Sequence, residues 1–233
     1  MDILPAEIWI HFILTNLSII DICKLQTVSK QSFSLVKSYM KSMKCLYFDE
    51  EIALMLNEEG LKSIFASLKF IEQISLSLCW KSATETNLLL LTSNCSRIHF
   101  FEAGHSSNIT DNVLLNLAEN CPKLEFLNIG SCYNVTDTGV LAIAKFSCNL
   151  KHLIISSNYG ITSKGLSALL KQCTNLETLD IGRTYLSNTS FDDMLREGYA
   201  KNLKEIRLYK CPNISEGIME RLAAKGIMIN SCF

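Results

Sequence analysis

A self-similarity with a period of about 26 residues constrains this 233-residue chain more than any other feature. Six segments open on one apolar pattern: IEQISL at 71, IHFFEA at 98, LEFLNI at 124, LKHLII at 150, LETLDI at 176 and LKEIRL at 203. Their starts stay in step throughout, no interval differing from the next by more than one position. Such alternation over so short a run reads as a strand with one buried face. A turn-like stretch follows each, then a segment such as NVLLNLAENC, GVLAIAKFSC or GLSALLKQC, whose apolar residues recur three and four apart as in a helix. A lone unit of this size cannot bury its own apolar face, so it must stack on its neighbours. The expected fold is an α/β solenoid, a short horseshoe of about six strand-helix repeats with strands inside the curve and helices outside. Six strands about 4.8 Å apart give a sheet roughly 24 Å long.

The repeat also accounts for residues that suggest chemistry. Ten cysteines stand at 23, 45, 79, 95, 121, 132, 148, 173, 211 and 232, no two closer than eleven residues, so the paired spacing of zinc and redox sites is missing. In the repeat register Cys79, Cys132 and Cys211 share one position, and Cys95, Cys121, Cys148 and Cys173 share another near the helix end. Free cysteine packs as a small hydrophobe, which suits a recurring core slot. Six Asn-x-Ser/Thr acceptors begin at Asn16, Asn94, Asn108, Asn134, Asn188 and Asn213, and three of them (108, 134 and 213) occupy one repeat position. There a Thr or Ser, followed by Asp in NITD and NVTD, supplies oxygens that cap the next helix.

The same register predicts a surface. The first outward place in each strand holds Gln73, Phe100, Phe126, His152, Thr178 and Glu205, and the second holds Ser75, Glu102, Asn128, Ile154, Asp180 and Arg207. Phe100 and Phe126 become neighbours with Ile154 nearby, and exposed aromatics are the usual anchors of protein interfaces. Nine residues into the repeats, Tyr133, Tyr159 and Tyr185 form an aromatic ladder at one rim, with Trp80, Ser107 and Pro212 in the equivalent places. Phe100, Phe126, Ile154 and the three tyrosines are the candidate residues for binding a protein target; for the tyrosines the competing reading, given slightly more weight, is that stacked aromatics simply support successive loops.

Several function classes find no support. Twenty-two basic against 23 acidic residues give a net charge of -1, which favours neither nucleic acid nor a membrane surface. MDILPAEIWIHFIL is apolar, but Asp2, Glu7 and Pro5 and the lack of a basic start fail it as a signal peptide. No apolar run approaches the ~20 residues of a membrane span. A cytoplasmic protein is expected, with nuclear residence left open. There is no phosphate-binding glycine loop, no His-Glu-x-x-His and no Gly-x-Ser-x-Gly, and His11, His99, His105 and His152 lack metal-ligand spacing. No catalytic residue, metal or cofactor is therefore assigned. A cysteine hydrolase pairing Cys132 with His105 or His152 is the weakest of the alternatives.

Two resemblances complete the reading. LEFLNIGSCYNVTDTGVLAIAKFSCNL, residues 124 to 150, resembles the cysteine-containing class of leucine-rich repeat almost throughout, and the likeness extends from about 71 to 230. The repeat at 71 lacks the Thr-Asp turn, and that at 176 has Thr184 for the cysteine. LPAEIWIHFILTNLSIIDICKLQTVSKQSFSLV, residues 4 to 36, is too polar to be a repeat and reads as two or three short helices. It resembles an F-box, a small all-α domain: Leu4-Pro5, Glu7-Ile8, Ile13-Leu14, Leu17, Asp21-Ile22, Leu25, Val28-Ser29-Lys30 and Leu35 fall at that family's spacing. The expected organisation is an F-box-like domain at 1–40, a connecting or capping segment at 41–70 and repeats at 71–233.

The F-box likeness implies docking on a Skp-type adaptor, and through it on a cullin-RING complex, by Leu4, Pro5, Ile8, Leu14, Leu17, Ile22 and Val28. The same residues would also serve the box's internal core. With the repeats holding the target, the implied function is that of a non-catalytic substrate-recognition subunit of an SCF-type ubiquitin ligase. The alternative is a leucine-rich-repeat binding or inhibitor protein that acts outside a ligase.

Overall fold

Each repeat returns its strand to the side of the one before. The computed structural model describes residues 21, 22, 24, 30–48 and 50–231. In it β1 (Cys45–Tyr47), β2 (Gln73–Ser75), β3 (Phe100–Glu102), β4 (Phe126–Asn128), β5 (His152–Ile154), β6 (Thr178–Asp180), β7 (Glu205–Arg207) and β8 (Met228–Asn230) form one parallel sheet in chain order. Helices α1 (Lys30–Ser42), α2 (Glu50–Met55), α3 (Glu58–Ser67), α4 (Glu85–Asn94), α5 (Asp111–Asn120), α6 (Asp137–Phe146), α7 (Ser163–Gln172), α8 (Thr189–Glu197) and α9 (Glu216–Ala224) alternate with the strands, and from α3 onward each packs on the next. This is the α/β solenoid expected of the repeat.

Pairing is in register with the period: Gln73 lies opposite Phe100, Phe100 opposite Phe126, and so on through His152, Thr178 and Glu205. The middle residue of each strand points into the core. Ile74, Phe101, Leu127, Leu153, Leu179 and Ile206 are all buried there against the helices.

The sheet extends beyond the six sequence repeats at both ends. β1 lies inside the segment read as connecting, 41–70, and pairs with β2. Met43, Leu46 and Phe48 take the places that Ile71, Ile74 and Leu76 hold in the next repeat, but Met and Phe in two of the three places obscure the pattern in sequence. At the other end Ile227 and Ile229 carry residues 227–230 onto the sheet, with β8 pairing on β7.

Helix starts are tied from repeat to repeat. Thr110, Thr136 and Thr162 are the N-caps of α5, α6 and α7, each accepting a backbone N–H of its own first turn. Each hydroxyl in turn donates to an acid of the preceding helix: Thr110 to Glu85, Thr136 to Asp111 and Thr162 to Asp137. Asp111 Oδ1 also accepts from Thr136 N at 2.8 Å and Gly139 N at 3.0 Å. A Cβ at Gly139 would lie 2.6 Å from that oxygen, so the Thr-Asp-x-Gly motif records where one repeat's acid meets the next repeat's helix. The sequon asparagines are structural as well, since Asn108, Asn134 and Asn213 donate to the carbonyls of Trp80, Ser107 and Tyr185 one repeat earlier.

The lower edge of the sheet carries a row of charge. Lys44, Glu72, His99, Glu125, Lys151, Glu177 and Lys204 follow one another through backbone N–H to carbonyl bonds from each strand to the last. Lys44 pairs with Glu72 at 3.4 Å and Lys151 with Glu125 at 2.9 Å, and Lys204 pairs with Glu177.

The cysteine positions need one correction and one refinement. Cys95, Cys121 and Cys173 are buried at the ends of their helices, but Cys148 is exposed, and Ser147 fills that slot instead. The step that leads from Cys95 to Cys121 leads on to position 147, so the adjacent cysteine misleads the eye. The other slot runs Cys79, Ser106, Cys132, Asn158, Thr184 and Cys211, and three of its side chains donate back to the preceding repeat. Cys132 Sγ reaches Ala103 O at 3.3 Å, Asn158 Nδ2 reaches Ile129 O at 2.8 Å, and Cys211 Sγ reaches Ile181 O at 3.2 Å. Each adds a bond to a carbonyl where the preceding repeat's chain leaves the sheet.

Ser147 Oγ is buried without a hydrogen-bond partner among the described residues. Ser147→Cys replaces it with the residue of the equivalent slots and should stabilise the fold by about 1 kcal/mol. The gain would be read as a higher urea midpoint at unchanged m-value.

Candidate interaction surface

Strand geometry turns the first and third residue of each strand to the concave face, and both rows are half-buried over most of the sheet. Phe100 and Phe126 stack there with ring centroids 4.1 Å apart and planes 10° from parallel. His152 continues the row, its ring 6.3 Å from Phe126 and its Nδ1 2.9 Å from Thr178 Oγ1. Ile154 stands in the second row and lines the same hollow as Phe126, so these three sequence candidates do come together.

Beyond the aromatic stretch the face becomes charged. Arg207 Nε donates to Glu205 Oε1 at 2.9 Å, Asn230 Nδ2 donates to the same oxygen at 2.7 Å, and this company holds the Glu205 carboxyl below the usual range. Glu102 in the second row accepts from Ser75 and Asn128. Asp180 is different: it is only 9% exposed, its Oδ1 accepts from Gly182 N at 2.9 Å, and burial pushes its carboxyl above the usual range. Among the described residues nothing donates to its other oxygen. A hollow of about 220 Å³ lies between Phe126, His152 and Ile154 on one side and Asp180, Glu205 and Arg207 on the other. It is smaller than the usual small-molecule or cofactor site and has the scale of one side chain. The register exposes the row, but sequence alone does not single out the unpartnered carboxylate of Asp180. The one signal there is an acid alone among neutral neighbours on its own strand.

Tyr133, Tyr159 and Tyr185 form the predicted ladder, with centroids 6.0 Å and then 5.7 Å apart, and each is more than half exposed. They sit in the turns that lead into the helices rather than on the sheet, so the tyrosines and the Phe100/Phe126 pair are two surfaces. Trp80 holds the equivalent place near the start, with Lys81 Nζ 5.0 Å from its ring.

Cys132 does not have the setting of a nucleophile. Its sulfur is buried, neither imidazole bonds it, and burial pushes the thiol up to about 11. Cys79, Cys121 and Cys173 are pushed up to about 12 in the same way. Among the described residues no group of three or more His, Cys, Asp or Glu is arranged to hold a metal ion, and no helix is long and apolar enough to cross a membrane.

Of the seven adaptor-facing candidates, Leu4, Pro5, Ile8, Leu14, Leu17 and Val28 lie outside the described residues. Ile22 is described, and it is buried at 2% in one core with Val36 and Met40 of α1, which packs on α3. Its apolar side chain thus serves the chain's own interior, the second of the two roles expected of these residues.

Comparison with known proteins agrees with this architecture. The model of the F-box domain matches residues 3–42, and that of the leucine-rich repeat matches 120–144 and 146–170. No curated protein matches the chain. The fold is similar to the crystal structure of the Rad7 and Elc1 complex in yeast, at TM-score 0.58 and 18% identity over 83% of this chain and 57% of that one. It is also similar to an internalin (inlF) from Listeria monocytogenes, at TM-score 0.50 and 18% identity over 85% of this chain and 63% of that one. At such identity the likeness is one of fold, and the chain spans less than two thirds of the length of either structure. With an F-box domain followed by leucine-rich repeats on one continuous sheet, the chain has the arrangement of an F-box/leucine-rich-repeat protein.

Proposed function

We propose that this chain is the substrate-recognition subunit of an SCF-type cullin-RING ubiquitin ligase, with the F-box holding a Skp-type adaptor and the repeats holding a protein target. The observation that carries the reading is the joining of the two parts. Ile22, Val36 and Met40, described residues of the box region, share one hydrophobic core with the repeats, so whatever the concave face binds stands at a set place relative to α1. Such a subunit needs no chemistry of its own, because holding a target near a charged ubiquitin carrier raises its effective concentration. The concave face supplies a graded surface for that purpose, apolar at Phe100, Phe126 and Ile154 and charged from Asp180 onward, with the Tyr133, Tyr159 and Tyr185 rim as a second contact area. The described cysteines are all free, in keeping with a reducing compartment such as the cytoplasm or nucleus.

Two comparisons test the reading. The intact chain should co-purify with a Skp-type adaptor, and Leu4→Asp/Pro5→Ala/Ile8→Asp should not, once both are shown to fold by circular dichroism. Capture of the adaptor by neither chain would leave a leucine-rich-repeat binding protein that acts outside a ligase. Phe100→Ala/Phe126→Ala should retain the adaptor and lose target capture about tenfold or more, the loss expected of a central aromatic pair. Equal loss of thermal stability and of both captures would make the pair merely structural.

A further inference from the structure

Asp180 stands out on the concave face among the described residues. It is only 9% exposed as a residue, one carboxylate oxygen accepts from Gly182 N, and the other opens onto the hollow with no donor among the described residues. Partly burying a carboxylate is costly, and a cation placed on its open oxygen offsets that cost. Glu102, in the same row, shows the ordinary solution, with Ser75 and Asn128 each donating to it. Arg207, opposite Asp180 on the next strand, lines the same hollow and its charge favours the Asp180 carboxylate, but its Nε is committed to Glu205 and it makes no hydrogen bond to Asp180. Counting the three charged side chains of the hollow, Asp180 and Glu205 against Arg207, the local sum is -1.

We infer that this hollow receives one basic side chain, Lys or Arg, from the protein target, with its aliphatic stem against Phe126 and Ile154 and its charged head on the free oxygen of Asp180. The inference rests on the receptor reading and names the class of segment recognised. One incoming cation brings the local sum from -1 to 0, whereas an acidic or phosphorylated segment would add like charge to a hollow that is already net negative. The apolar side of the hollow suits the stem of such a residue, since long basic side chains lay their methylenes on apolar surface and keep the head in polar company. From β4 to β6 is two strand spacings, about 9.6 Å, so a segment crossing the sheet over Phe126 can extend its basic side chain toward Asp180. The volume of about 220 Å³ has the scale of one side chain. A metal ion is a poorer occupant, because Glu205 is already held by Arg207 and Asn230, His152 Nδ1 is engaged with Thr178, and among the described residues no three acids, thiols or imidazoles are arranged as a ligand set.

Selection of a displayed random-peptide library on the purified full-length chain provides the test. Peptides retained by the native protein should carry Lys or Arg at one fixed position, and replacing that residue with Gln should weaken binding about tenfold in fluorescence anisotropy. Asp180→Asn keeps the acceptor for Gly182 N and removes a desolvated charge, so it should fold at least as stably at neutral pH. The selected peptide should nevertheless bind it about tenfold more weakly, and the Gln-substituted peptide equally well. Three results overturn the inference: no peptide is selected, no position is fixed as basic, or Asp180→Asn leaves the preference unchanged. Adaptor capture is scored separately. Basic-peptide selection without adaptor capture sinks the ligase reading and keeps the pocket, while adaptor capture without a basic preference sinks the pocket alone.

Discussion

Everything in this molecule depends on each strand returning to the same register beside its predecessor. A three-residue strand has too few hydrogen bonds to stand alone, and a ten-residue helix is marginal in water. Stacking changes this by giving every inner strand two neighbours and every helix a packed face, so that stability is shared among nearest-neighbour interfaces. The register is reinforced at three further levels: acid-to-threonine ties at the helix starts, asparagine bonds across the turns, and buried donors from Cys and Asn that reach back one repeat. All four sets of bonds run between residues about one period apart. A slip by a single position would break them together.

This explains how legible the fold is. The period, the strand faces and the concave rows follow from sequence because the same physical demand recurs once in every repeat, and repetition makes a weak pattern strong. The stacking of Phe100 on Phe126 can be read from register alone. What escapes is whatever departs from the repeat or occurs only once. β1 is hidden by Met43 and Phe48 in leucine positions, and Ser147 is hidden by the cysteine next to it. Asp180 escapes for a different reason. Its sequence position is plain, but the depth of its burial and the lack of a donor for its second oxygen are properties of the packed face, and no local pattern states them.

The concave face is graded along the solenoid. Near its middle the aromatic pair and Ile154 offer apolar area, and toward β7 the side chains are charged and mostly committed to one another. The two ends of the grade meet at one hollow, which joins dry wall and buried charge within the reach of a single side chain. The tyrosine rim lies on a different set of turns and can meet a partner without competing for that hollow.

The charged row along the lower edge has a consequence for how this solenoid can grow or shrink. Cores of stacked repeats are close to interchangeable, but the row from Lys44 to Lys204 is not, since its signs are arranged so that each acid has a base or His99 as a neighbour. Excising the single repeat 150–175 would close the sheet with Glu125 beside Glu177, whereas excising 124–175 would bring Glu177 beside His99. Exposed ion pairs are individually worth about 0–1 kcal/mol, so the row does not hold the sheet together. It acts instead as a soft record of the order of the repeats, one that tolerates the loss of two neighbours more readily than the loss of one.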